Sequence, residues 1–438
     1  MAAKDLGASG ILYTDRRDFY IDPQVVKELW TDVAPFTTVV ANKETRSTND
    51  PVFKMFEHRN PWVSQKVTLN DGSPPTIPNN DTGIEVAVDG VKGLGAVGDP
   101  YIGLIFEIWD STETTNRGTA IVKSISNSNL MMASLTGAAI TTADNDIMHV
   151  VGNAHGEGTF APEAWADELQ VVWNACQIFK TPLQITGTLL QAALRGESSE
   201  LARLRAQKNQ EHKMQKEKAF LFGQSLNGTN LGDNEREFNT GTDPEDEAFG
   251  DSGRTISGGK VRTTYGILSA IEKYGQSAGD SQNKFTVDSS YTYSNFVDDM
   301  EKVFQYVPTS GVKRAFCGAG ALGYWSKMAG SEGFAGGSGW TVNLGDMKRD
   351  ALGFNYKVLE TPHGILQLIP TPALRGPHNK KMLVVDDDNM FHAQYRSPMF
   401  QANIKSDNAY DGVKDQYFSD EGIGISLIES HNLFNITA

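Results

Sequence analysis

The alternation of apolar and polar positions divides the chain into blocks of different character. From Phe53 to about Asn153 it is β-rich: "IEVAVDG" alternates Ile84, Val86 and Val88, and "YIGLIFEIW", "TAIVKSI" and "LMMASL" follow with Gly, Asn and Asp between them. Period-two alternation bounded by turn residues predicts strands, here a small antiparallel unit. Inside this block "QKVTLNDGSPPTIPNND", Gln65 to Asp81, is polar and rich in Pro, Gly and Asn, which predicts a long projecting loop. Residues 1–50 show one helical stretch near "DPQVVKELWTDV" and otherwise extended character, so they are expected to form an arm with little core of its own.

The strongest helix pattern runs from Ser199 to Phe222, "SELARLRAQKNQEHKMQKEKAFLF", with Gly223 as its C-terminal cap. Leu201, Leu204 and the "AFLF" end are apolar anchors, but the middle is polar, unlike a core helix with a continuous apolar stripe. Arg203, Arg205, Lys208, Lys213, Lys216 and Lys218 outnumber Glu211 and Glu217, so the helix is expected to present a basic surface, as a solvated helix or as a strut lying on one. Residues 226–259, including "DPEDEAFGD", are acidic and poor in core formers. "VRTTYGILSAIEKYG" and "YSNFVDDMEKVFQYV" predict two further helices. "LGFNYKVLETPHGILQLIPTPAL", "KKMLVVDDDNMFHAQYR" and "DEGIGISLIESHNLFNITA" predict strands.

A chain of 438 residues with 39% hydrophobic residues can bury a sizeable core and two or three domains. No apolar run approaches a membrane span and no signal peptide is seen, so the protein is expected to be soluble and intracellular when made. Cys176 and Cys317 lack metal or redox spacing and predict core residues. The net charge of -15 argues against nucleic acid as a general ligand, the basic helix being a local exception.

Candidate chemistry is sparse. "KRAFCGAGALGYWSKMAG" places Gly318, Gly320 and Gly323 in G-x-G-x-x-G spacing, yet no acid stands about 20 residues further on to hold a ribose. The expectation is a strand, a tight turn and a helix packed by Phe316, Leu322, Tyr324 and Trp325. "GRTISGGKV" has Lys260 one place late for a P-loop and Val261 instead of a magnesium-binding hydroxyl, and predicts a loop. "HGEG" at His155 predicts a turn, Asp386 to Asp388 a hairpin corner, and the eight histidines have no ligand spacing. No catalytic residue, cofactor or metal is expected.

The order of these blocks resembles the tailed-bacteriophage major capsid proteins of the Hong Kong 97 type, or Johnson fold. An arm leads to a β-rich segment with a projecting loop, then a long spine helix at Ser199–Phe222. A helix–strand–helix run follows in "DDMEKVFQYVPTSGVKRAFCGAGALGYWSKMAG", like the family's axial domain. The resemblance implies an α+β fold with arm (1–50), extended loop with an inserted β-rich subdomain (51–185), peripheral domain with spine helix (186–288), axial domain (289–400) and a return to the peripheral domain (401–438). The block from Ile84 to Val151 exceeds a simple loop hairpin, hence the inserted subdomain.

The implied function is a structural shell around packaged DNA, built from hexamers and pentamers of the chain, located in the virion capsid and assembled in the host cytoplasm. A separate scaffolding protein, a portal and a cement protein are the implied partners, with non-specific DNA contact and no membrane. Phe19, Tyr20, Trp30, Phe36, Trp62 and Lys66 are candidate subunit-interface residues, and Arg203, Arg205, Lys208, Lys213, Lys216 and Lys218 candidate inner-surface cations. The alternatives are a dinucleotide-binding oxidoreductase and another virion protein such as tail sheath.

Overall fold

The computed structural model describes residues 34–58, 66–69, 74–80, 82–89, 102–126, 129–158, 169–192, 199–224, 255–256, 259–260, 262–277, 282–306, 311–329, 348–349, 355–404 and 411–437. Two compact units result, one from Met1–Met55 with Val171–Ala438 and one from Phe56–Gln170. Six helices concern us: α1 (Pro35–Lys43), α2 (Gly187–Gln191), α3 (Glu200–Phe222), α4 (Ile267–Tyr274), α5 (Tyr293–Val303) and α6 (Ala319–Ala329).

The first unit is built on a mixed seven-stranded sheet in the spatial order 284–287, 432–436, 381–385, 312–317, 365–370, 355–360, 348–349. Successive strand residues point to opposite faces, and the sequence exploits this. Phe316, Leu383 and Val385 pack with α1, α3 and α4, whereas Ala315, Cys317, Met382 and Val384 pack with Phe296, Met300 and Val303 of α5 and Trp325 of α6. The strands therefore read as near-continuous apolar runs, as a sheet covered on both faces must. Thr292 caps α5 in a reciprocal capping box with Asn295.

Phe36, a candidate interface residue, is completely buried in its own unit and stands edge-on to Phe316 with ring centroids 5.1 Å apart. Val39 and Val40 are buried with it. The reading of 1–50 as an arm with little core of its own is therefore corrected for its last part: α1 belongs to the core. The period of its apolar residues was too short to register as a helix stripe. Phe19, Tyr20, Trp30 and Trp62, like the helical stretch "DPQVVKELWTDV", lie outside the described residues.

A second, four-stranded sheet of the same unit runs in the order 45–47, 390–401, 412–425, 177–186. The three long strands are antiparallel. One face carries α3; the other is open to solvent along the strand 177–186, where buried and exposed residues alternate strictly from Phe179 to Thr186, and is covered by Phe53, Met55, Val172 and Cys176 where they pack on Phe391 and Ala393.

The unit Phe56–Gln170 contains a sheet ordered 84–86, 129–134, 116–126, 104–109, 147–153, 66–69, 88–89. Its first and last members are one chain run interrupted only at Ala87, so the sheet closes on itself as a six-stranded antiparallel barrel. Leu104, Phe106, Ile108, Val122, Met132 and Met148 fill it. Part of the stretch expected to project as a loop is inside this architecture: Lys66–Leu69 is a barrel strand, its Lys66 opposite His149, and Thr76–Ile77 pairs with Ile140–Thr141. Turn-forming residues concealed these short strands. Likewise "GRTISGGKV", expected as a loop, holds a hairpin in which Thr255–Ile256 pairs with Gly259–Lys260.

Candidate functional site: the long helix and its acidic strand

Helix α3 starts at Ser199, whose hydroxyl accepts the amide of Ala202, and ends where Gly223 allows the backbone to approach the Thr264 carbonyl more closely than a Cβ would permit. Its middle is polar because the face turned to the protein is polar. Arg205, His212 and Lys216 recur at i, i+7 and i+11 and so form one row on the helix. They meet Asp415, Ser419 and Glu421, which share one face of the strand Gly412–Ile425. Arg205 Nη2 lies 2.7 Å from Asp415 Oδ2, His212 Nε2 lies 3.0 Å from Ser419 Oγ, and Lys216 Nζ lies 3.0 Å from Glu421 Oε2. The spacings match: 11 helical residues advance about 16 Å and six strand residues about 20 Å.

Asp415, Ser419 and Glu421 are completely buried. Burial pushes the Glu421 carboxyl up, but the hydrogen bond of His392 and the charge of Lys216 outweigh it, and the net direction is below the usual carboxylate range. His212, also bonded through Nδ1 to Thr181 Oγ1 at 3.0 Å, is pushed down to about 4 by burial and by Lys216, so it is neutral at pH 7. The residue after Lys216, Glu217, faces α1: its carboxylate accepts the backbone N–H groups of Phe36 (3.0 Å) and Thr37 (2.7 Å). These are the free amides of a helix N-terminus, where an anion is favoured.

This geometry corrects the expectation of a freely basic helix. Arg205 and Lys216 are spent on buried acids, Arg203 pairs with Glu200, and Lys208 pairs with Glu211 at 2.6 Å. Only Lys213 and Lys218 of the six are exposed without an ion pair among the described residues. The partners Asp415, Ser419, Glu421 and Thr181 were not anticipated. The signal was the run "VKDQYFSDEG", a strand with carboxylates on the side that should have been apolar. Beside this row Asn209, Lys213, Met399, Phe400 and Tyr417 line a cavity of about 260 Å³.

The glycine motif has a different use. The strand Val312–Cys317 passes through Gly318 into α6 as expected, and Asn379 occupies the turn: its Oδ1 accepts the Gly320 amide at 2.9 Å and its carbonyl accepts the Ala321 amide at 3.1 Å. A Cβ on Gly318 would stand 2.2 Å from the Asn379 carbonyl oxygen. The amides that would cradle a pyrophosphate are thus already bonded, and the glycine admits a neighbouring loop.

Asp387 and Asp388 lie in a 3-10 turn, where Asp387 pairs with Arg314 and Asp388 with Lys43 at 2.7 Å. Asp386 turns inward to accept the Asp388 amide and the Asn389 side chain. The three carboxylates diverge. Both cysteines are buried, and no group of three or more His, Cys, Asp or Glu side chains among the described residues is placed to hold a metal.

No curated protein matches the sequence. Among solved structures the chain is similar to one from the capsid of a native GTA particle, with 9% identity, 99% of each chain covered and a TM-score of 0.47. It is similar to a chain of Microbacterium phage Oxtober96, with 9% identity, 99% of this chain and 100% of that one covered and a TM-score of 0.44. It is also similar to the holo-SrpI encapsulin complex from Synechococcus elongatus PCC 7942, with 8% identity, 62% and 77% covered and a TM-score of 0.37. A family model matches residues 24–240 and 242–422, nearly the whole length. The chain belongs to the SU10 major capsid protein family and is a Hong Kong 97-type structural protein of a tailed-phage capsid shell.

Proposed function

We propose that copies of this chain close as hexamers and pentamers into an icosahedral head shell, assembled in the host cytoplasm on a separate scaffolding protein and completed by a portal, with a cement protein as a further partner. The family match over residues 24–240 and 242–422 carries this reading. The protein has no catalytic role in it. Its chemistry is burial at contacts between copies, supplied in part by Phe19, Tyr20 and Trp30 of the arm and by Trp62 and Lys66. Electron microscopy of the chain co-expressed with its scaffold tests the reading: closed shells are expected, whereas tubes or dispersed small oligomers would overturn it. Calorimetry with NAD, FAD and ATP separates the oxidoreductase alternative, which requires micromolar binding to one of them.

A further inference from the structure

The cavity between α3 and the strand Met390–Gln401 has an apolar, aromatic lining that is not closed off from water. Met399 and Phe400 are 42% and 41% exposed. The Tyr417 ring stands 5.0 Å from that of Phe400 and 6.2 Å from that of His212, and Arg205 lies over Phe400 at 5.1 Å. Lys216 is held by Glu421, whereas Lys213, which also lines the cavity, is exposed and has no ion pair among the described residues. The volume of about 260 Å³ falls below the roughly 300 Å³ at which pockets for drug-sized ligands begin. It suits one large side chain. Aromatic and Met walls with a cation at the rim select a ring that has a carboxylate beside it.

The chain itself contains such a group. Between Gln224 and Thr255 it carries eight Asp or Glu against two Arg, and two aromatic residues, Phe238 and Phe249. Phe249 follows the run Glu245, Asp246, Glu247, whereas Arg236 stands two places before Phe238. Both flanks of this segment lie near the cavity. Lys213 is nine residues before Phe222, about 14 Å along α3. On the other flank Arg262 Nη2 lies 3.8 Å from Asp420 Oδ2, two strand residues from Phe418 in the cavity wall. Phe249 comes 27 residues after Phe222 and 13 before Arg262, and each extended residue spans about 3.3 Å, so both connections reach. We propose that the cavity is the docking site of this chain's own segment 243–251. The Phe249 ring enters between Met399, Phe400 and Tyr417, and the preceding carboxylates meet Lys213. The inference goes beyond the capsid reading and does not rest on it. The tether favours this occupant over a separate acidic protein. An attached segment competes at an effective concentration on the order of millimolar, and its docking does not require two molecules to be brought together.

Competition on the unassembled full chain tests the assignment. A fluorescent peptide of residues 242–252 is titrated onto wild type, Phe249→Ala and, as control, Phe238→Ala. Loss of its anchor should free the cavity, so Phe249→Ala should bind the peptide at least about tenfold more tightly than wild type, and Phe238→Ala should match wild type. Adding Lys213→Gln to Phe249→Ala should weaken peptide binding about two- to fivefold. Adding Lys218→Gln instead, about 140° around α3 from Lys213, should change nothing. A glutamate-specific protease should cut after Glu247 at least about tenfold more slowly in wild type than in Phe249→Ala, at every chain concentration. Equal peptide binding by wild type and Phe249→Ala, or equal cutting, would overturn the assignment. Protection that disappears on dilution would overturn it too, giving the cavity to the segment of a second copy.

Discussion

Glu217 Oε2 receives both the backbone N–H and the hydroxyl of Thr37, each at 2.7 Å, across 180 residues of sequence. One carboxylate thereby ties α3 to the first turn of α1. It is completely buried, and burial pushes it above the ordinary carboxylate range against the pull of its hydrogen bonds.

Removing that carboxylate orphans a buried amide at Phe36 and a half-buried one at Thr37. Glu217→Ala should lower stability by about 3 kcal/mol in urea titration, and Glu217→Gln, which keeps one acceptor and the shape, by about 1 kcal/mol. Equal losses would show that volume, not capping, is what Glu217 supplies.

The same contact moves the boundary of the dispensable arm. Deleting residues 1–33 should leave native circular dichroism and a cooperative melt while preventing closed shells. Deleting 1–43 also removes Phe36, Val39 and Val40 from the core and strands Glu217. A single large core truncation costs about 3–5 kcal/mol, so this longer deletion should not fold. Normal shells from the 1–33 deletion would show that the arm is not needed between neighbours.

Arg205 and Asp415 test the polar row. Among the described residues Arg205→Ala leaves buried Asp415 with the Asn403 amide, at 2.8 Å, as partner on its other oxygen, and should cost about 3 kcal/mol. Replacing both residues, Arg205→Met with Asp415→Leu, should recover most of it, because two apolar side chains leave no unpaired charge. A double variant as unstable as the single one would assign the loss to packing.

Asp387 supplies a pH test. Its carboxyl is pushed up to about 6, chiefly by burial, with Arg314 and then Lys43 opposing. A folded-state pKa above the unfolded value of 3.8 means that the folded state holds the proton more tightly. Stability from this group is therefore fully present below about pH 4 and is lost as pH rises through 6. Asp387→Asn cannot titrate, so its stability relative to wild type should improve across that window by on the order of 2 kcal/mol. A difference that stays flat from pH 4 to 7 would place the Asp387 pKa near its ordinary value.

The glycine turn can be separated by position. Gly318→Ala should destabilise, since the backbone of Asn379 fills the space, whereas Gly323→Ala should be neutral or stabilising by about 0.5–1 kcal/mol, because nothing lies within 4 Å of its Cβ position. Similar losses at both positions would mean that both serve one buried contact.

Those elements whose local pattern matched their surroundings were legible in the sequence. Strand 312–317 and helix α6 followed from apolar runs around one tight turn, and α5 from the pattern of "YSNFVDDMEKVFQYV". Helix α3 was legible as a helix but not as a packed one, because its buried face holds Arg205, His212 and Lys216, whose partners lie 207 residues away in the case of Ser419. Long-range charge matching leaves no local period. For the same reason α1 was missed: nine residues with Pro at the start and two Thr inside carry a weak helical signal, and their core assignment depends on Phe316 and Glu217, remote in sequence. The closure of the barrel was equally out of reach, since it depends on Ile84–Asp89 pairing with two strands at once.

That closure has a consequence for a protein that must gather in many copies. An open sheet offers a row of unbonded amides and carbonyls at each margin, and crowded identical chains can zip together along it into aggregates of no fixed size. In the unit Phe56–Gln170 the run Ile84–Asp89 joins both margins of the sheet, so the barrel gives a neighbour no terminal strand to extend. Contact through the barrel wall is then made by side chains, which can be matched to one geometry, and disorderly growth by backbone pairing along it is suppressed during assembly.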